Sequence, residues 1–173
     1  MSPAEARALI AHPSLSAAPS QTWADLGSGD GIFTVALASQ LPDGSVVHAM
    51  DVDARALADI DASPSGVDIA THVGDFTEFP WPFSDVDGVL MANSLHYVRH
   101  QLTFLRHCVS QLRRQRLLIV EYDTTSANAW VPYPVNYASA MALAADVGLR
   151  SVTPLGRRPS AYRRAEIYAV LFE

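Results

Sequence analysis

Short apolar runs alternate along this chain with stretches whose apolar residues recur at helical spacing. Such runs read as buried strands, and a three- or four-residue recurrence reads as one face of a helix. Strands are predicted at 23–26, 45–50, 67–73, 86–92, 117–121, 149–153 and 166–172. Helices are predicted at 2–11, 30–40, 54–61 and 135–147, and over the segment carrying Leu102, Leu105, Val109 and Leu112. Ser2, Pro3 and Glu5 supply an N-cap, a proline at the first helical position and the acid of a capping box. The second helix is expected to turn Ile32, Val35, Ala36 and Ser39 to one side, and Gly148 stops the last. Between these lie a polar connector at 13–21, turns at Leu41-Pro42-Asp43-Gly44 and Ser63-Pro64-Ser65-Gly66, and a proline- and aromatic-rich loop at 77–83. A longer loop spans 122–134, and an arginine-rich loop joins the last two strands. Regular alternation of strand and helix predicts an α/β chain with a doubly wound, mostly parallel sheet covered by helices on both faces. One domain is expected over 1–173, with an N-terminal helix and connector at 1–22, a core at 23–121 and a final region at 122–173.

Composition narrows this picture. With 49% hydrophobic and only 17% charged residues, against about 25% charged in ordinary domains, the chain is built for burial. A net charge of −6 argues against nucleic acid as a partner, because phosphate neutralisation needs clustered cations. All 12 cationic side chains are arginine, which excludes a Schiff-base lysine and a phosphate-loop lysine. The one cysteine, Cys108, excludes an internal disulfide and a cysteine metal cluster and reads as a small core hydrophobe. The six histidines show no metal-ligand spacing: His48 and His72 read as core or edge residues, and His12, His100 and His107 as solvated. No apolar run approaches about 18 residues and no secretion signal is evident, so no membrane association and a cytoplasmic location are expected. The low charge content permits a homodimer.

The candidate chemistry gathers at strand ends. Trp23-Ala24-Asp25-Leu26-Gly27-Ser28-Gly29-Asp30-Gly31 reads as a buried strand, a glycine turn and a helix opening near Asp30. Glycine there permits positive φ and lets a ligand approach the main chain. The spacing is G-x-G-x-G, with Ile32 where a dinucleotide fingerprint has its third small residue. Asp25 and Asp30 disfavour a pyrophosphate and suit a nucleoside with an amino-bearing tail. Asp51 lies 24 residues beyond Gly27 at the end of the second strand, where an acid can accept from both ribose hydroxyls. Asp53 is available to cap the following helix. Asp75, after Gly74, reads equally as an acceptor for an adenine amine beside Phe76 or as a turn residue. Ligands of open parallel sheets bind at these carboxyl ends, where Asn93 to His96 and Glu121 also fall.

The motifs Asp25 to Gly31, Asp51-Val52-Asp53, Gly74-Asp75-Phe76 and Asp87 to Tyr97 appear in this order between Trp23 and Glu121. In this the chain resembles a class I S-adenosylmethionine-dependent methyltransferase of the small ubiquinone-biosynthesis-like, or type 11, group. The resemblance implies a Rossmann-like sheet of seven strands with the last antiparallel. It implies S-adenosylmethionine as cofactor, with Gly27 and Gly29 flanking the methionine part, Asp51 holding the ribose, Asp75 and Phe76 holding the adenine, and Asp25, Ser28 and Val52 as further cofactor-binding residues. It places the main chain of Asn93 and Ser94 at the amino-acid end of the cofactor. The sequence departs from the Asn-Pro-Pro-aromatic pattern of amino-methylating enzymes, reading Asn93-Ser94-Leu95-His96. Only 22 residues precede the first strand, too few for the lid domain of many relatives.

Two readings follow: in-line methyl transfer to a small, partly apolar acceptor, or a non-catalytic module of the same fold that holds S-adenosylmethionine or S-adenosylhomocysteine. A nicotinamide-dependent oxidoreductase is disfavoured by the glycine spacing and Asp25. His96 is the candidate base or orienting group, with a turn-fixing histidine as the competing reading. Tyr97, Glu121, Trp130 and Tyr133, with Tyr122, are acceptor-pocket candidates; packing over the sheet end is the competing reading of the aromatics, and bonding the loop backbone that of Glu121. Arg157-Arg158 and Arg163-Arg164 read as a solvated loop, with an anionic acceptor or partner as the alternative.

Overall fold

Strand β4 (Val86–Ala92) is buried along nearly its whole length, as a strand with both faces covered must be. In a computed structural model that describes residues 1–17, 19–60, 66–160 and 165–173, it pairs with β1 (Thr22–Leu26) and β5 (Leu112–Tyr122), parallel to both. Outward from β1 follow β2 (Ser45–Asp51) and β3 (Val67–Val73), also parallel; outward from β5 follow β7 (Glu166–Phe172) and β6 (Val152–Pro159). The sheet order is β3-β2-β1-β4-β5-β7-β6, with β7 antiparallel to both of its neighbours. The order reverses between β1 and β4, which makes the crevice above their carboxyl ends the expected ligand site.

The period of two along the central strands divides one apolar sequence between two cores. Ala24, Leu26, Val89, Met91, Leu117, Ile119, Tyr168 and Val170 face one side. There they pack on Phe104, Leu105, Cys108 and Val109 of α5 (Gln101–Ser110) and Ala140 and Ala144 of α6 (Tyr137–Asp146). Trp23, Leu90, Leu118, Val120, Ala169 and Leu171 face the other. Their partners are Ala6 and Leu9 of α1 (Pro3–Leu9), Leu15 of α2 (Pro13–Ser16), and Phe33, Ala36 and Leu37 of α3 (Ile32–Ala38). The capping box forms as expected: Ser2 Oγ accepts from Glu5 N, and Glu5 Oε2 accepts from Ser2 N. The short helix α4 (Ala54–Ala58) lies against β2 and β3 and is capped by Asp53.

Several boundaries differ from the sequence expectation, each for an electrostatic or packing reason. The connector at 13–21 contains α2, because His12 caps it by accepting from Ser14 N. α3 starts at Ile32 rather than near Asp30, and its buried side is Phe33, Thr34, Ala36, Leu37 and Ala38 rather than the Ile32–Ser39 stripe. β5 begins at Leu112, not 117: Arg113 and Arg114 look like loop residues but pair with buried Asp87 of the adjacent strand. The expected strand at 149–153 lies instead at Val152–Pro159, so Arg157 and Arg158 belong to a strand. Arg157 bridges Asp123 and Glu166, and Arg158 pairs with Glu5. Both are strand residues paired with carboxylates rather than members of a solvated loop. Arg163-Arg164 and Ser63-Pro64-Ser65 lie outside the described residues.

At the amino ends of the strands, Arg116 is buried across the Trp23 ring, 5.2 Å from its centroid. It donates to Gln21 Oε1 (2.8 Å) and Ser14 Oγ (2.7 Å). Its Nε lies 2.8 Å from Glu173 Oε1, in ion-pair contact but out of hydrogen-bond alignment. Trp23 in turn demands Gly88 beneath it, where a Cβ would come within 2.7 Å of the indole. Arg116→Met leaves Gln21 Oε1 with Trp23 Nε1 as its one remaining donor, removes the Arg116 bond to Ser14 Oγ and unpairs Glu173. It is expected to lower the unfolding free energy by about 2–4 kcal/mol in urea titration; a loss below about 0.5 kcal/mol would remove this cluster as a structural anchor.

Candidate active site at the β1–β4 switch point

The turn after β1 is held against its neighbours by its own main chain. Gly27 N and Ser28 N both donate to Met50 O, and Gly31 N closes back on Ser28 O. Gly27, Gly29 and Gly31 all have positive φ, at 78°, 54° and 77°. A Cβ on Gly27 would meet Ser94 Cβ at 2.6 Å, whereas one on Gly29 would have open space around it. Gly27 is therefore required by close packing, and Gly29 leaves main chain accessible at the crevice. The turn after β4 is fastened to the same place: Ser94 Oγ donates to Leu26 O at 2.5 Å, and Asn93 adopts φ 55° while its N–H bonds Val120 O.

Beneath this loop Asp25 is fully buried. Its Oδ2 accepts from Thr34 Oγ1 at 2.6 Å, and its Oδ1 has no hydrogen-bond partner. Burial lifts its pKa to about 7; the Thr34 bond opposes the rise and the nearby Asp51 charge adds to it. Ser28 Oγ and Asn93 Oδ1 are also buried without a partner. Native interiors satisfy most buried polar atoms, so three orphans around one glycine turn point to a ligand with hydrogen-bonding groups.

Asp51 Oδ2 accepts from Gly29 N (2.8 Å) and Oδ1 from Asp53 N (2.9 Å), each oxygen keeping a second lone pair. Asp53 performs the capping, accepting from Arg55 N and Ala56 N. Val52 is exposed on the rim. Asp75 forms a local turn, Oδ1 accepting from both Thr77 N and Thr77 Oγ1. The Phe76 ring is buried against Phe104, 5.7 Å between centroids, and its edge lies beside Gly27.

At the β4–β5 side stands a buried pair. His96 Nδ1 lies 2.7 Å from Glu121 Oε2, and His96 N donates to Glu121 Oε1 at 3.1 Å. Above it the 122–134 loop is tied down, with Tyr133 N donating to His96 O and Gln101 Nε2 to Tyr133 O. Tyr97 and Trp130 are 51% and 77% exposed, and Tyr133 38%. Thr34 and Gln101 carried no signal in the sequence beyond being polar residues on apolar helices; their partners come from other elements. Two cavities of about 480 Å³ lie elsewhere, one by Phe79, Trp81, Phe83 and His107 and one by Arg7, Pro13 and Leu41. Both sit toward the amino ends of the strands, so the orphaned polar atoms and the strand topology locate the site, and the cavities do not. Among the described residues no cluster of three acidic, histidine or cysteine side chains is arranged for a metal.

A glycine turn at the switch point, an acid beneath it and an acid closing the next strand define a nucleoside-type cleft, and residues 24–115 match the family model described as a methyltransferase domain. The chain belongs to that family. It is a class I S-adenosylmethionine-dependent methyltransferase of the type 11/25 group. No curated protein matches the sequence. Among solved structures the methyltransferase is similar to magnesium protoporphyrin IX methyltransferase from Synechocystis PCC 6803 with bound S-adenosylmethionine. That likeness has 17% identity and a TM-score of 0.65, over 90% of this chain and 71% of that one. It is similar also to the apo form of the S-adenosylmethionine-dependent methyltransferase SibL, at 21% identity and TM-score 0.67. This chain is covered to 98% but spans only 54% of SibL. A TehB-like methyltransferase from Corynebacterium glutamicum ATCC 13032 matches at 19% identity and TM-score 0.57, over 89% of this chain and 81% of that one. At these identities the structures speak for the shared fold.

The buried Asp25 makes a stability prediction. Its pKa of about 7 in the fold exceeds the unfolded value of about 3.9, so the protonated form is favoured by folding. Its contribution is fully present below about pH 4 and is lost as pH rises through 7. Asp25→Asn is expected to be more stable than the parent at pH 8 by about 2–4 kcal/mol, the gap closing toward pH 4. Parallel urea-derived stabilities across this range would show that Asp25 is not buried against its charge.

Proposed function

We propose that this methyltransferase moves the methyl group of S-adenosylmethionine onto a small, partly apolar acceptor in the cytoplasm, by in-line displacement. The cofactor supplies the reactive methyl, and the chain aligns an acceptor atom with it and excludes water. The observation that carries this reading is the trio of buried, unpartnered polar atoms, Asp25 Oδ1, Ser28 Oγ and Asn93 Oδ1, beside the turn that Gly29 leaves open. Asn93 Oδ1 only accepts, as Asp25 Oδ1 does once ionised, which suits the cofactor's ammonium group. Asp51, with lone pairs left beyond the bonds from Gly29 N and Asp53 N, is assigned to the ribose hydroxyls, with Val52 at the rim. Asp75 and the backbone of Phe76 are assigned to the adenine edge, and the turn at Asn93 and Ser94 to the amino-acid end. The acceptor is assigned to the region of His96, Tyr97, Glu121, Trp130 and Tyr133. Among the described residues no helix is long and apolar enough to cross a membrane.

Titration calorimetry with S-adenosylmethionine, S-adenosylhomocysteine and NAD tests the cofactor site, and binding of the first two without the third is expected. Asp51→Ala is expected to weaken S-adenosylhomocysteine binding by about 1–3 kcal/mol, the range for leaving buried hydrogen-bonding groups unpaired. An unchanged affinity in a folded variant would remove Asp51 from the ribose. Because an ammonium favours ionised Asp25, affinity is expected to rise with pH up to about 7 and then level off. Asp25→Asn should flatten that profile; a profile unaltered by the substitution would take Asp25 out of the site.

A further inference from the structure

We propose that His96 and Glu121 form a proton-accepting pair, and that the acceptor is a weakly acidic hydroxyl on a flat apolar frame, of the phenol class. This rests on the methyl-transfer reading of the same site. Glu121 is fully buried, and both of its oxygens are committed to one residue. Oε1 takes the main-chain N–H of His96 and Oε2 faces its Nδ1. A carboxylate only accepts, so the neutral ring that can act as a base has its proton on Nδ1 and its lone pair on Nε2. Nε2 has no hydrogen-bond partner among the described residues and is not among the side-chain atoms sealed from solvent without one. The Glu121 contact holds the ring, and the main chain beneath it is fastened too, His96 O accepting from Tyr133 N and the Tyr133 carbonyl from Gln101 Nε2. A turn-fixing histidine requires neither a fully buried acid nor a ring nitrogen left open.

The surroundings choose the acceptor. The Tyr97 ring stands 4.4 Å from the His96 ring and is exposed, and the loop tied to His96 presents Trp130 and Tyr133 to solvent. An exposed tyrosine ring against the buried imidazole, with two further exposed aromatics on the loop bonded to His96, suits a flat apolar ligand. An acceptor that is already anionic needs no base and would meet the Glu121 carboxylate in a chain of net charge −6. A hydroxyl does need one. In the step, the hydroxyl proton passes to His96 Nε2 as the oxygen lone pair bonds the methyl carbon. The methyl–sulfur bond breaks, its electron pair stays on sulfur, and the sulfonium becomes a thioether. Glu121 stabilises the imidazolium, which later releases its proton to solvent. His96 is the catalytic residue, and Glu121 acts through it as a positioning residue.

The test uses 4-nitrophenol as a probe with the full-length protein saturated in S-adenosylhomocysteine. Trp130 is the exposed tryptophan, Trp23 and Trp81 being buried, so quenching of its emission reports occupancy. Phenolate absorbance of the bound probe, below the pKa of the free phenol, reports proton transfer. Wild type is expected to bind the probe as phenolate. His96→Gln and Glu121→Gln are expected to bind it with similar affinity but without phenolate, and with S-adenosylhomocysteine affinity retained. 4-Nitrobenzoate, which carries a charge on the same frame, is expected to bind more weakly than the phenol. Binding without phenolate in wild type, phenolate that persists in His96→Gln, or preference for the benzoate overturns the proposal. So does failure of the phenol to bind while S-adenosylhomocysteine binds, which leaves the methyl-transfer reading standing. Failure of S-adenosylhomocysteine itself to bind overturns both.

Discussion

Two turns that are 68 residues apart in sequence meet at one hydrogen bond, Ser94 Oγ to Leu26 O. That meeting constrains most of what surrounds it. It brings Ser94 so close to the turn after β1 that position 27 has no room for a side chain. It sets Asn93 in a left-handed conformation and starts the 3₁₀ turn Leu95–Tyr97 that carries His96. The parallel pairing of β1 with β4 supplies the distance, and the packed cores on both faces hold it fixed. The site geometry is therefore a consequence of sheet register, with little freedom left to the loops.

The two ends of the sheet treat buried charge in opposite ways. At the amino end, Asp87 accepts from Thr22 N and meets Arg113 and Arg114, while Arg116 engages Gln21, Ser14 and Glu173. Those groups find hydrogen-bond or ion-pair partners within the fold, Arg116 Nε having only its ion-pair contact with Glu173. At the carboxyl end, Asp25 keeps one oxygen bare and is pushed toward neutrality, and Ser28 and Asn93 are left unpartnered. Unmet polar groups cost stability. Their concentration at one end separates the part of the molecule that anchors the fold from the part proposed to hold the cofactor. Glu121 stands between these cases, satisfied by His96 yet leaving that ring with a nitrogen open.

Much of the fold was legible because alternation of strand and helix is a local pattern. β3, β4 and β7 fall at the positions that the apolar runs indicate. The misses share a cause. Arg113, Arg114, Arg157 and Arg158 look like loop residues in isolation, and only carboxylates from other elements make them acceptable in strands. The short helix at Pro13–Ser16 and the true inner face of α3 likewise depend on what lies opposite. In the site, Asp25, Asp51 and the glycines were visible from spacing, whereas Thr34 and Gln101 were not, because a polar residue on an apolar helix declares no partner.

By itself the sequence determined which segments become strands, where the chain must turn, and that acids and glycines gather at strand ends. Those features follow from side-chain periodicity and from the conformations open to glycine, which are properties of neighbouring residues. The tertiary structure alone decided which acid is buried against its charge, which polar atoms lack partners, and that Glu121 reaches across from β5 to fix the His96 ring. These depend on burial and on distances between residues far apart in sequence, and both are set by sheet order and register.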